Sequence, residues 1–402
     1  MSLKLTIIFL FFVFILSHSK KLCMTPDQFE SINHDKMTAS FYDYKEINKS
    51  VHLHRYMFET GVEIGRGGFG EVRTVSDKLP DTAVKKVRAE TASKKMNSLR
   101  EVKMVRAACQ QNEKDFARFS ECKSTAIVHF YGCVEELKEV FQFQELMSRS
   151  LSSKEAKSEF FDLPAIQKIE VMLDIIDKFI ELHRLNIVHS DIKPGNIMTK
   201  GNSLSDFRII DLGLANFKGQ KYWGGTDGYL PPERYGPQRY NSGLAFTDDV
   251  FALGITFAVL NRGFEKAHSE LKEKCFDRPN SRDHCSEIII EGLEKTFTKE
   301  KGLESILEVI KQSVELTVKS RYENMEDFSI SMITEFAKLE ESKPIISKIL
   351  SSSETFDEKS SSPSFWKNYI FSKKTFSKNE AGGILETLSA FFGCAASRKE
   401  NT

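Results

Sequence analysis

Cysteine is scarce, 7 residues in 402, which excludes a small disulfide-stapled scaffold. No CxxC pair or Cys/His spacing of the zinc-binding kind occurs. Neither sign of charge dominates: Lys+Arg and Asp+Glu both total 57. That balance argues against a chain-wide basic footprint for nucleic acid and leaves only a local patch open. No period of about 20 to 50 residues repeats, so solenoid arrays are out. Collagen, coiled-coil and multi-pass membrane compositions are absent too. What is present is globular: 40% apolar and 28% charged residues, with Phe overused at 32. At about 150 residues per domain, the length fits two or three units or one large two-lobed one.

The chain opens with Lys4, then an apolar run Leu5–Leu16 broken only by Thr6, then Ser17-His18-Ser19. A charged start, a short apolar stretch and a small-x-small site make the pattern of a secretory signal peptide over 1–19, cut after Ser19. The run is short of the about 20 residues a spanning helix needs. An uncut signal anchor and a buried N-terminal helix are the alternatives. A secretory route takes the thiols into an oxidising lumen. Cys275 and Cys285 are then the easiest pair to propose, Cys109, Cys122 and Cys133 form a second cluster, and the odd count leaves one over. Seven reduced cysteines remain the other reading. One sequon is present, Asn48-Lys49-Ser50.

Residues 20–57 read as a polar lead-in. Strand-like runs follow at Gly61–Thr74, Ala83–Arg88, Val128–Glu135 and Val140–Met147, with a helical stretch Ser93–Ala108 between the second and third. From Pro164, suited to a first helical turn, the pattern turns to long amphipathic helices, with Ile166, Ile169, Met172, Leu173, Ile176 and Phe179 as one stripe. The fold class expected is α+β, a small β-rich lobe over about 58–147 and a larger helical lobe over about 148–340. Residues 341–402, with two Ser-Ser-Ser runs, read as a tail largely without structure. Ile384–Phe392 is a weak candidate for a short terminal helix.

Ile64-Gly65-Arg66-Gly67-Gly68-Phe69-Gly70-Glu71-Val72 contains G-x-G-x-x-G-x-V. A dinucleotide-binding loop would open a helix, yet here the chain continues as a strand. Glycines let a backbone approach phosphate oxygens with no Cβ in the way. Lys85 follows in Ala83-Val84-Lys85, inside an apolar strand, where a charge needs a partner. Phosphates and Glu101, on the following helix, are the candidates. Farther on, His189-Ser190-Asp191-Ile192-Lys193-Pro194-Gly195-Asn196 packs Asp, Lys and Asn into six residues between apolar stretches, the usual mounting of a functional loop. Ile209-Ile210-Asp211-Leu212-Gly213 puts a carboxylate at a strand end. Asp and Asn supply hard oxygens suited to Mg²⁺ with phosphate.

In that order the glycine loop, Lys85, Glu101, Asp191/Lys193/Asn196, Asp211-Leu212-Gly213 and Pro231-Pro232-Glu233 resemble the eukaryotic protein kinase signature. Asp249 resembles the family's buried aspartate behind the catalytic loop, and Arg321 the late arginine that pairs with Glu233. The likeness runs from about 58 to 337, about 70% of the chain. It implies a two-lobed kinase fold, with the domain over 58–340. It implies ATP covered by Ile64, Gly65, Gly67, Gly68, Gly70 and Val72, and Lys85 on the phosphates paired with Glu101. Asn196 and Asp211 would hold Mg²⁺, and Asp191 would take or orient the proton of the substrate hydroxyl. Lys193, two residues after Asp191, and Thr226 in Gly225-Thr226-Asp227 resemble the Ser/Thr-specific form. Phe141–Met147 resembles the strand leading to the adenine site, with Gln144 near its back.

Two departures stand out. Ser190 replaces the arginine that in the family meets a phosphate on the activation loop, and Leu212 replaces a Phe. The loop from about Ala215 to Thr226 has only Tyr222 and Thr226 as hydroxyl side chains. Activity without strong dependence on loop phosphorylation is therefore expected, unless another basic residue stands in. A Ser/Thr protein kinase with a protein substrate, secreted or signal-anchored, is the leading expectation, with no nucleic acid partner and no membrane span once the signal is cut. A pseudokinase that binds ATP or scaffolds is the alternative. A pseudokinase commonly loses the lysine or an aspartate, and Lys85, Asp191, Asn196 and Asp211 are all here.

Overall fold

A computed structural model describes residues 62–67, 70–74, 82–88, 91–110, 122, 124–135, 139–235, 240, 242–274, 282–351 and 365–376. The expected signal peptide, lead-in, sequon, Gly68 and Ile384–Phe392 lie outside them. Two compact units form, one running to Met147 and including Asp211–Gly213, the other comprising Ser148–Ile210 and the chain from Leu214.

The first unit is an antiparallel sheet of β1 (Glu63–Gly67), β2 (Gly70–Thr74), β3 (Thr82–Arg88), β4 (Phe130–Glu135) and β5 (Glu139–Glu145), ordered β1-β2-β3-β5-β4, with one helix, α1 (Ala92–Ala108). The apolar, β-branched content of β3 and β5 explains their central place: Val84, Val140 and Phe143 are all but fully buried. Helix α1 puts Val102, Met104, Val105 and Ala108 into the core. Its C-terminal end is stapled by a Cys109–Cys122 disulfide. Within the second cysteine cluster the bond thus joins the first two members. Cys133 and Cys285 are disulfide cysteines as well, while Cys275 lies outside the described residues.

The second unit is mainly helical. Its helices are α2 (Lys154–Asp162), α3 (Ala165–Arg184), α4 (Phe246–Leu260), α5 (Glu265–Lys274), α6 (Arg282–Phe297), α7 (Leu307–Ser313), α8 (Met325–Lys338), α9 (Lys343–Ser351) and α10 (Phe365–Phe376). Five short strands carry the loops between them: β6 (Arg149–Ser150), β7 (Ile187–Val188), β8 (Ile197–Thr199), β9 (Phe207–Ile209) and β10 (Asn216–Phe217). Of the expected α3 stripe, Ile169, Met172, Leu173, Ile176 and Phe179 are buried. Pro164 is the N-cap of α3, not part of its first turn. Helix α4 is apolar all round and buried along most of its length, as a helix central to a unit must be. A side chain at Gly254 would stand 2.1 Å from Ser313 Oγ, so glycine sets the close approach of α4 and α7.

Two helices, α9 and α10, lie within residues 341–402. Trp366 is fully buried. Its indole Nε1–H donates to Asp174 Oδ1 at 2.8 Å, and its backbone N–H to Asp177 Oδ1 at 3.3 Å. Its ring meets Phe336 edge-on, and Arg184 stacks over Phe365. A composition rich in Ser and charge hid one aromatic anchor with two waiting carboxylates on α3. Replacing Trp366 by alanine should cost about 3 kcal/mol, seen as a melting temperature lower by roughly 5–10 °C. An unchanged melting temperature would mean that α10 is not part of the fold.

Candidate active site

In the first unit, β1 and β2 pair through Gly67 and Gly70. Gly70 has φ +154°, and a Cβ there would stand 2.2 Å from the Lys86 carbonyl oxygen, so no other residue fits. Gly65 has open space about it, and Ile64 is exposed. Val72 lies opposite Lys85 in the β2–β3 register. Lys85 is buried and donates to Glu101 Oε1 at 2.6 Å and Asp211 Oδ1 at 3.0 Å. Burial alone would lower the Lys85 ammonium. The carboxylates of Glu101 and Asp211 outweigh it and hold the group above the ordinary lysine value. Burial pushes the Glu101 carboxyl up, against the pull of Lys85. The structure thus brings three predicted residues, far apart in sequence, into one buried charge cluster. Arg100, next to Glu101, donates to the Gly213 carbonyl and ties α1 to the Asp211-Leu212-Gly213 turn.

One member of this cluster escaped the sequence reading. Gln142, and not Gln144, faces Lys85 across β3 and β5. It is 1% exposed and donates through Nε2 to Glu101 Oε2 at 3.2 Å. The available signal was a polar residue in the middle of Val140-Phe141-Gln142-Phe143.

In the second unit, the loop after β7 is built around Asp249 of α4. That carboxylate accepts the backbone N–H of His189 at 2.8 Å and of Ser190 at 2.9 Å, and bonds His183 Nε2 at 3.1 Å. Ser190 has φ +68°, a strained conformation for a residue with a side chain. Asp249 holds it there, which turns the next residue, Asp191, to its partners. His189 accepts from the Asp191 N–H through Nδ1 at 3.2 Å and donates from Nε2 to the Ile210 carbonyl at 3.1 Å. Both bonds suit one neutral ring protonated on Nε2.

Asp191 is 5% exposed. Its Oδ1 accepts from Thr226 Oγ1 at 2.6 Å, and its Oδ2 accepts from Lys193 Nζ at 2.8 Å. Lys193 also donates to Thr226 Oγ1 at 2.7 Å, which closes a triangle. Asn196 donates through Nδ2 to the Asp191 carbonyl at 2.8 Å and to Oδ2 at 3.1 Å. Its amide oxygen carries neither bond and is a hard donor, as is the Asp211 carboxylate. Among the described residues no group of three His, Cys, Asp or Glu side chains could hold a metal by itself. An amide oxygen and a carboxylate are each of the hard kind that Mg²⁺ takes beside phosphate and water.

Downstream, Glu233 and Arg321 pair. Two parallel bonds of 2.6 and 2.8 Å join them, with the guanidinium buried. The segment between β10 and Thr226 is held by its own backbone bonds and buried side chains. β10 pairs with β7, and Gly219 and Gln220 exchange backbone bonds with Leu244 at 2.8 Å. Tyr222 is buried against Val188 and Leu244, and Arg234 stacks over its ring. Arg234 also donates to the carbonyls of Ser242 and Gly243 and pairs with Asp248. Neither hydroxyl residue of the loop is thus presented: Tyr222 is inside and Thr226 is bonded to Asp191.

The protein kinase domain family model matches residues 58–333. The chain belongs to the protein kinase family. Members of the family use ATP and Mg²⁺ and act on proteins. Among curated relatives, the chain is 28% identical over 240 residues to an Aurora kinase of Eremothecium gossypii, covering 58% of this chain and 60% of that one. It is 28% identical over 209 residues to a dual specificity mitogen-activated protein kinase kinase of Caenorhabditis elegans, covering 48% and 56%. It is 28% identical over 191 residues to a probable serine/threonine-protein kinase of Encephalitozoon cuniculi, covering 47% and 33%. The chain thus spans between a third and three fifths of these relatives' own lengths. No helix among the described residues is long and apolar enough to cross a membrane.

Proposed function

We propose that the chain transfers the γ-phosphate of ATP to Ser or Thr hydroxyls of protein substrates. The observation that carries this is the closed triangle of Asp191, Lys193 and Thr226. Asp191 is desolvated, oriented on both oxygens, and able to accept the proton of an attacking hydroxyl. The hydroxyl oxygen bonds to the γ-phosphorus as the bond to the β–γ bridging oxygen breaks, and ADP leaves. The proton goes to Asp191 or to the transferred phosphoryl group. Lys193 is placed to offset charge on the γ-phosphate, and Lys85 to bind the α- and β-phosphates. Asn196 and Asp211 are the residues assigned to Mg²⁺, which when bound neutralises charge on the phosphate oxygens. Positioning and charge stabilisation supply most of the catalysis in this reaction class. Lys193 bonded to Thr226 supports the Ser/Thr reading. The burial of Tyr222 under Arg234 and the bond of Thr226 to Asp191 support activity that does not wait for loop phosphorylation.

We further propose entry into the secretory route. The N-terminal pattern and the Cys109–Cys122 disulfide both favour it, since structural disulfides persist in oxidising compartments. Both proposals meet one experiment. Full chain made in a secreting host is incubated with labelled ATP and Mg²⁺ and a generic basic protein. Label on Ser and Thr, from a protein whose N-terminus lies near Lys20, is expected. Label mainly on Tyr would overturn the specificity, and an intact Met1 the signal cleavage.

A further inference from the structure

We infer that Gln142 is a positioning residue that holds the Glu101 carboxylate in register with Lys85. The inference rests on the phosphotransfer reading for its consequence, though not for its geometry.

Helix α1 meets strand β5 through polar atoms at Gln142. Gln142 Nε2 lies 3.2 Å from Glu101 Oε2 and 3.4 Å from Ser98 Oγ. Ser98 and Glu101 are three residues apart, so both stand on one face of the helix. Ser98, Glu101 and Gln142 are all buried. The two oxygens of Glu101 are shared out: Oε1 takes Lys85 and Oε2 takes Gln142. A carboxylate held at one oxygen can still turn about its last torsion. Held at both, it cannot.

A glutamine in that strand needs a reason. Burying an amide is unfavourable unless it is bonded, and Val140, two residues earlier on the same face of β5, is apolar and fully buried. Packing alone is thus served equally well by Leu or Met. What those residues lack is a donor for Glu101 Oε2. Without one, a buried charged oxygen is left short of a partner, and Glu101 gains by turning away from Lys85. Lys85 then keeps Asp211 as its carboxylate contact and loses the orientation that Glu101 imposes.

The test uses the full chain and its Gln142→Leu, Gln142→Met and Gln142→Glu variants. The kcat and KM for Mg·ATP are measured from about pH 6 to about pH 8.5. Gln142→Leu and Gln142→Met should lower kcat/KM for ATP about tenfold at every pH, the size expected for a bond to a charged group. Gln142→Glu discriminates further. Two carboxyl groups this close cannot both ionise cheaply. While one proton is retained, the O–H of the introduced carboxyl group replaces the amide donor and activity stays within about threefold of the parent. As pH rises and that proton leaves, activity should fall while the parent holds. A role in packing alone would instead leave the Leu and Met variants near the parent at every pH.

If the parent transfers phosphate and the Leu and Met variants stay within about twofold of it, the inference is overturned and the kinase reading stands. If the parent transfers none, the kinase reading falls. Affinity for trinitrophenyl-ATP then decides: the same pattern across the three variants and pH supports the inference, and unchanged affinity overturns it.

Discussion

Asp191→Asn is expected to cut phosphate transfer by about a thousandfold while the protein still folds. The substitution keeps the shape of the side chain and its Oδ1, so Thr226 retains its acceptor at that oxygen. It removes the carboxylate that would take or orient the proton of the attacking hydroxyl. Loss of a general base typically costs between about a hundredfold and ten-thousandfold, and the midpoint is the expectation. Lys193 and Asn196 both donate to Oδ2, and an amide NH₂ there faces donors. Some loosening of the loop therefore adds to the effect. The readout is the initial rate of label transfer from ATP, with the affinity for ATP measured alongside. Retention of more than about a tenth of the parent rate would remove Asp191 from the mechanism. A lost rate together with lost ATP affinity would assign the effect to binding.

The second large effect concerns stability. Asp249→Ala should destabilise the protein by about 3–5 kcal/mol, the range for removing one partner of a buried charged cluster. The carboxylate is wholly buried and serves three donors. Its loss leaves the amides of His189 and Ser190 unpaired in the interior, and each buried orphan carries its own penalty. Ser190 also loses the bond that maintains its positive φ, so the turn relaxes and Asp191 moves with it. A melting temperature lower by roughly 6–12 °C, with transfer lost at temperatures where the fold persists, is the expected pair of results. A variant that melts within about 1 °C of the parent would show that Asp249 does not brace the loop. Asp249→Asn, which keeps an acceptor oxygen, should lie between.

Most of the chemistry was legible because it is carried by short contiguous segments. Asp191, Lys193 and Asn196 lie within six residues, and Gly65 to Val72 within eight. Periodicity found α1 to within one residue of its start, since its apolar positions recur at helical spacing. Other features depend on strand register or on contacts between distant segments, and no local pattern announces them. Gln142 reads as an oddity until β5 is paired with β3. Arg234 stacks on Tyr222 and bonds the carbonyls of Ser242 and Gly243, contacts that no short motif announces. Among three neighbouring cysteines, only the position of the α1 terminus selects Cys109 and Cys122. Helix α10 was hidden by the Ser-rich composition around it, because Trp366 finds its partners nearly two hundred residues earlier in the chain.

Helix α10 also bears on how the protein is cut for study. The family match stops at residue 333, and a boundary drawn there or at 340 looks natural. Either cut would discard Trp366 and strip the cover from the α3 face that presents Asp174 and Asp177, and a cut at 340 would also bare Phe336. Freshly bared aromatic surface is sticky, so fragments ending near 340 should precipitate or associate. Fragments carried to Phe376 should stay dispersed at the same concentration.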